Sequence, residues 1–220
     1  MTAVALYADE VYRFFRAGDE ETRALAGVSV QLLRGEMVAV VGPSGSGKST
    51  LLSCLAGLDN PSGGTVWVDG QRISHQPESV RARLRADHIG MVFQSASLLQ
   101  HLSVLANIQL SQSLTRATGR SRPVELLASL GMSARAKAYP AELSGGEAAR
   151  AALAVALAND PLVLLADEPT GELDGGSEQR LLGLLLERAK SGRSVLVASH
   201  SPAVRHAADR VVTLTDGKVG

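Results

Sequence analysis

The sequence has little cysteine, no surplus of charge of either sign and no long apolar run, and each shortage narrows what the chain does. Its one thiol, Cys54, cannot close an internal disulfide. That fits a reducing compartment and a buried structural role. Lys plus Arg number 22 and Asp plus Glu also number 22, so no global basic field draws in nucleic acid or an anionic membrane. The most apolar stretch, "AALAVALA" at 151–158, falls far short of the ~20 residues that a membrane span requires. The N-terminal "MTAVALYADEVYR" has neither the basic region nor the apolar core of a leader peptide. These absences predict a soluble, cytoplasmic chain with no nucleic-acid partner and no direct membrane insertion. Repeats, low-complexity tracts and linkers are also missing. With 220 residues, 45% of them hydrophobic, the chain is expected to fold as one unit over 1–220.

What is present is a succession of short apolar runs bounded by turn residues: "MVAVV" (37–41), "IGMVF" (89–93), "LVLLA" (162–166), "SVLVAS" (194–199) and "RVVTL" (210–214). They read as buried strands. Helical patterns fall between them, clearest at Thr50 to Leu58, Val124 to Leu130, Gly146 to Ala158 and Ser177 to Lys190. The alternation predicts an α/β core with mostly parallel strands. Two regions break it. Residues 1–35 and 64–73 contain "VSVQL" and "TVWVDG", period-two segments with an Asp-Gly turn, which predict an antiparallel β subdomain beside the core. Residues from about 95 to 142 hold short helices without a convincing strand, which predicts an inserted α-helical subdomain.

Chemistry concentrates where the predicted strands end. In "MVAVVGPSGSGKST" a strand runs into Gly42, Pro43, Ser44, Gly45, Ser46, Gly47, Lys48, Ser49 and Thr50, and then into a helix. Glycines at this spacing let successive N–H groups turn toward phosphate oxygens. Lys48 adds a positive charge at the β and γ phosphates, and Ser49 offers a hydroxyl to Mg²⁺. "LVLLADEP" ends in two carboxylates that are costly to bury unless each has a cation or polar partner. Asp167 is placed to support Mg²⁺ and Glu168 to orient or deprotonate an attacking water, with Pro169 fixing the turn. Gln94 closes "GMVFQ", where an amide can touch both the metal shell and the water; an ordinary surface glutamine is the other reading. His200 follows "SVLVAS", either reaching a γ-phosphate or serving no chemical role. Phe15 either stacks on an adenine ring or fills the N-terminal sheet with Phe14. "RARLRA" (81–86) reads as a solvated helix face.

One stretch does not fit a single phosphate site. "LSGGE" (143–147) sets Ser144, Gly145, Gly146 and Glu147 at a second helix start, another place for an anion. In order, "GPSGSGKST", "VFQ", "LSGGE", "LLADEP", "GELD" and "SH" resemble the nucleotide-binding subunits of ABC transporters, nearly end to end. The resemblance implies a P-loop NTPase (RecA-like) core that binds ATP and Mg²⁺. It also implies a Walker A loop at 42–50, a Q-loop glutamine at Gln94, a signature at 143–147 and Walker B acids at 167 and 168. By the same resemblance Asp174 matches the D-loop, His200 the switch histidine and Phe15 the A-loop aromatic. It further implies a head-to-tail homodimer in which each signature completes the partner's ATP site, and a separate integral membrane permease that holds the subunit at the inner face of the cell membrane.

Within the family, "RAGDEETRALAGVSVQL", "FQSASLLQHLSVLANIQL" and "DEPTGELD" look most like the lipoprotein-release and macrolide-efflux group (LolD and MacB type). The expected activity is ATP hydrolysis coupled to export or extraction. The alternative is a mechanotransmission complex that moves no cargo. A soluble ATPase of DNA repair or translation would need a long coiled-coil arm, for which the spacing from Gln94 to Ser144 is too short, or a second cassette, and only one fits in these 220 residues. Glu147 stands where glutamine is commoner, Ala148 and Ala149 replace polar residues, and Val155 replaces a usual arginine. The first of these puts a negative charge near a phosphate site. In the insert, Leu98, Leu99 and Leu102 line a groove for a permease helix or else belong to the subdomain core.

Overall fold

The computed structural model of the chain describes residues 3–17, 20–93, 98–115, 122–171 and 173–220. It opens on a long hairpin, β1 (Val4–Ala17) and β2 (Glu20–Leu33), followed by β3 (Met37–Val41), α1 (Lys48–Leu55), β4 (Gly63–Val68) and β5 (Gln71–Arg72). Next come α2 (Glu78–His88), β6 (Ile89–Val92), α3 (Val104–Ser113), α4 (Pro123–Ser129) and 3₁₀ turns at Ser133–Arg135 and Pro140–Glu142. The last part runs α5 (Gly145–Leu157), β7 (Val163–Asp167), α6 (Gly175–Lys190), β8 (Ser194–Ala198), α7 (Pro202–Ala207), β9 (Arg210–Thr215) and β10 (Lys218–Val219).

Two sheets result. One has the order β2-β1-β4-β5 and is antiparallel throughout. Asp69 (φ 47°) and Gly70 (φ 74°) make its Asp-Gly turn, both in the left-handed region that such a hairpin needs. The other has the order β10-β9-β3-β8-β7-β6, parallel from β9 to β6. Its central strands β3, β7 and β8 are buried on both faces because their side chains alternate between two cores. Val38, Val40, Leu165 and Leu196 pack toward α1 and the antiparallel sheet. Met37, Ala39, Leu164 and Val197 pack toward α3, α5 and α6. Cys54 is fully buried in the first core, where desolvation pushes its thiol up to about 12.

The sheet order positions the site. Strand β8 lies between β3 and β7, so three carboxyl-terminal ends meet along one edge, the usual ligand edge of an α/β sheet.

Two local expectations change. Helix α1 starts at Lys48, ahead of Thr50, because Gly47 (φ 101°) caps it from the left-handed region. Of the arginines of α2, Arg83 is exposed as expected but the other two are not simply solvated. Arg81 and Arg85 are half-buried and donate to the Gly57 carbonyl at 3.1 and 2.7 Å, Arg85 also pairs with Glu78, and Leu84 is buried. They tie α2 to the end of α1.

Candidate nucleotide site

The loop after β3 and the first turn of α1 form one wall of a cavity of about 590 Å³, and Asp167, Glu168 and His200 form the other. Gly42 is required by packing, because a Cβ there would strike the Leu214 carbonyl of β9. Gly47 is required twice, by its positive φ and because a Cβ would strike the Ala24 carbonyl of β2. With Gly47 offering no side-chain cap, the first amides of α1 have no partner within the helix and face an anion position at the positive end of its dipole. Lys48 is buried, and its Nζ donates to the carbonyls of Gly42 (2.9 Å) and Pro43 (3.0 Å). Ser46 stands apart from its neighbours. Its side chain is buried, does not line the cavity, and its Oγ has no hydrogen-bond partner.

Across the cavity, Asp167 ends β7 and is 7% exposed. Burial raises its pKa above the ordinary 3.8; a hydrogen bond from Ser49 opposes the rise, the neighbouring Glu168 charge adds to it and Lys48 opposes it. Its Oδ1 is buried without a partner. Glu168 follows at φ 45°, an unusual conformation for a side chain with a Cβ. One oxygen, Oε2, accepts from Ser199 Oγ (3.1 Å) and from the His200 amide (3.4 Å), and lies 3.0 Å from His200 Nδ1. Ser199 drew no notice in the sequence because serine before histidine carries no pattern of its own. Only the pairing of β8 beside β7 brings it to Glu168.

The remaining candidates that are described do not line this cavity. Gln94 lies outside the described residues, as does the glutamate at 172 of "GELD". Phe15 is exposed and does not line the cavity; the Arg13 guanidinium sits 4.3 Å from its ring centroid, and Phe14 stacks on Tyr12. Asp174 caps α6, with Oδ1 accepting from the amides of Gly176 and Ser177 at 3.0 Å and Oδ2 from Ser177 Oγ at 2.8 Å. None of residues 143–147 lines the cavity. Ser144 and Gly145 are exposed at the start of α5. Glu147 turns back into a capping box, in which its Oε2 accepts from the Ser144 amide at 2.9 Å and its own amide donates to Ser144 Oγ at 3.3 Å. Val155 packs partly into the second core. A larger hollow of about 830 Å³ between α2, β6, α3 and α5 is lined in part by Val155 and by none of the other candidates.

The donor set suits a nucleotide with a hydrated divalent cation. Among the described residues no group of three or more His, Cys, Asp or Glu could cage a metal. Mg²⁺ characteristically takes one or two protein oxygens and fills its shell with phosphate and water. The unpartnered Asp167 Oδ1 beside Ser49 matches that pattern.

A strand, a glycine loop and a helix start facing two strand-end carboxylates across an α/β sheet define a P-loop nucleotide-binding protein. A family model described as "ABC transporter" matches residues 25–171. The chain is 42% identical, over its whole length, to a macrolide export ATP-binding/permease protein MacB of Hyphomonas neptunium, and 40% identical over 96% of its length to MacB of Escherichia coli K12. It spans about a third of the length of these curated relatives, 34% and 33%. Among solved structures it superimposes on the dimeric bacterial ABC transporter cassette MJ0796 with a TM-score of 0.90 at 33% identity, covering 97% of this chain and 96% of that one. The same cassette in a post-hydrolysis state bound to ADP and Pi also matches, with a TM-score of 0.90 at 32% identity and the same coverage. The chain belongs to the ABC transporter family and is an ATP-binding cassette of the ATPase class. Among the described residues no helix is long and apolar enough to cross a membrane.

Proposed function

We propose that two copies of the chain pair head to tail and bind ATP between the 42–50 loop of one and the 143–147 segment of the other. Hydrolysis there drives a membrane permease of the macrolide-export or lipoprotein-extraction type, which holds the cassette at the inner face of the cell membrane. The observation that carries this reading is the exposed helix start at Ser144 and Gly145, which belongs to no cavity that contains Lys48. An anion-binding helix terminus facing outward is completed by a second molecule. The relatives named ATP-binding/permease proteins support the permease partner, since a cassette of this length makes up a third of each.

In this reading Lys48 and the loop amides hold the β and γ phosphates. Ser49, Asp167 and Gln94 would hold Mg²⁺, which neutralises phosphate charge when bound. Glu168 orients and deprotonates the attacking water, and His200 and Ser199 keep its carboxylate in place. Asp174 acts through its cap on α6, and Phe15 flanks the adenine once Arg13 moves aside. The experiment is light scattering of the Glu168→Gln variant with Mg²⁺ and ATP. Dimers are expected with ATP and monomers with ADP; monomers at saturating ATP overturn the two-molecule site.

A further inference from the structure

Glu147 places a carboxylate at the anion-binding start of α5, where it opposes any phosphate that approaches Ser144. The structure supplies a counter-charge. Arg135, at the end of the 133–135 turn, donates from Nε to Glu147 Oε1 at 2.8 Å, while Oε2 is occupied by the Ser144 amide. Both carboxylate oxygens are therefore engaged by donors of this chain. The arginine is on a fixed platform: Met132 before it is fully buried, and the carbonyls of Ala136 and Ala138 after it accept from the Leu105 and Val104 amides at the start of α3, each at 2.9 Å.

We infer that Arg135 is a positioning residue of the composite ATP site. By pairing with Glu147 it cancels the misplaced negative charge and locks the capping box that aims Ser144 at the partner's nucleotide. The inference rests on the two-molecule reading above. It explains how a glutamate is tolerated in "LSGGE": the ion pair is close to neutral. The Ser144 amide, and after it Arg135, hold Glu147 below the usual carboxylate value, and Glu147 holds Arg135 above the usual guanidinium value.

The test is a double-mutant cycle in the Glu168→Gln background, reading the ATP concentration that gives half-maximal dimer by light scattering. Arg135→Ala is expected to raise that concentration about tenfold, the scale of an uncompensated charge at a closing interface. Monomeric binding of a fluorescent ATP analogue is expected to stay as in the parent, since Lys48 lies in the other half-site. Arg135→Lys, which keeps the charge, should recover part of the loss. Arg135→Ala combined with Glu147→Gln should dimerise as Glu147→Gln alone does, because no charge remains to be balanced. If the double variant is as defective as Arg135→Ala, the arginine serves only the turn and the inference is overturned. A parent that dimerises normally while Arg135→Ala has no effect overturns the role of Arg135 alone. A parent that never dimerises removes the head-to-tail reading together with this one.

Discussion

Ser177 Oγ stands 2.9 Å from the place where a Cβ on Gly146 would be, so the starts of α5 and α6 touch through one missing side chain. The same hydroxyl donates to Asp174 and accepts from Arg180 at 2.9 Å. The start of α5 and the cap of α6 are thereby packed against each other. Gly146→Ala is expected to lower the ATPase rate ~10²-fold, the cost of a misplacement of about an ångström in a preorganised site. Adding Ser177→Ala, which removes the obstructing oxygen, should restore part of it. Steady-state turnover of the two variants checks this, and an Ala variant as active as the parent would mean that the contact is slack.

Glu168→Gln should retain nucleotide and lose turnover by about 10²–10⁴, the usual contribution of a general base. His200→Ala should lose less, because the carboxylate keeps the Ser199 hydroxyl as a donor. Single-turnover hydrolysis separates the two; a larger loss for His200→Ala would reverse the assignment of base and positioning group.

Lys48→Ala is expected to abolish tight ATP binding in the monomer, since the phosphates lose their nearest fixed cation. Ser144→Arg should leave monomeric binding intact and stop both dimerisation and hydrolysis, with a loss of about 10²–10³ in rate. Mixed, the two variants form one site that pairs an intact loop with an intact signature. Activity returning on mixing is the expected outcome, and a Ser144→Arg monomer that cannot bind ATP would place the segment in its own chain's site.

Asp167 trades stability for function. Its raised pKa means that the folded nucleotide-free chain binds more protons than the unfolded chain, so stability falls as pH rises from the ordinary 3.8 through the higher folded value. At neutral pH the cost is fully present. Asp167→Asn should therefore raise the Tm of the nucleotide-free chain by a few degrees, the scale on which ~1 kcal/mol registers in a chain of this size, while weakening Mg²⁺-dependent hydrolysis. Paired thermal melts at pH 4 and pH 7 check the sign: the gain from the substitution should shrink at the lower pH.

In the insert the structure divides the leucines. Leu98 is a core residue at 6% exposure, and Leu99 is 43% exposed. Leu98→Asp should unfold the helical region. Leu99→Asp should keep the fold and weaken docking to the permease, as read by co-purification from membranes. An effect of Leu99→Asp on thermal stability equal to that of Leu98→Asp would assign both to the core.

The glycine loop, the strand-end acids and the capped helix start at Ser144 were legible because each is a contiguous stretch whose conformation depends on its immediate neighbours. A strand followed by Gly42 to Thr50 and a helix needs no distant contact to be recognised, nor does the capping position of Ser144. The Asp-Gly turn and the alternation of apolar runs were equally local, so the α/β class followed from them. Tertiary structure alone decided that β8 lies between β3 and β7, and with it that Ser199 and His200 reach Glu168, because strand order is set by how crossovers pack and not by any one strand's residues. It also decided that Ser46 turns inward, that Arg13 covers Phe15, that Asp174 is engaged in a helix cap, and that the charge of Glu147 is balanced by Arg135, twelve residues away in sequence. Each of these depends on side chains that meet only when separate elements pack, and the sequence contains no spacing rule for such meetings.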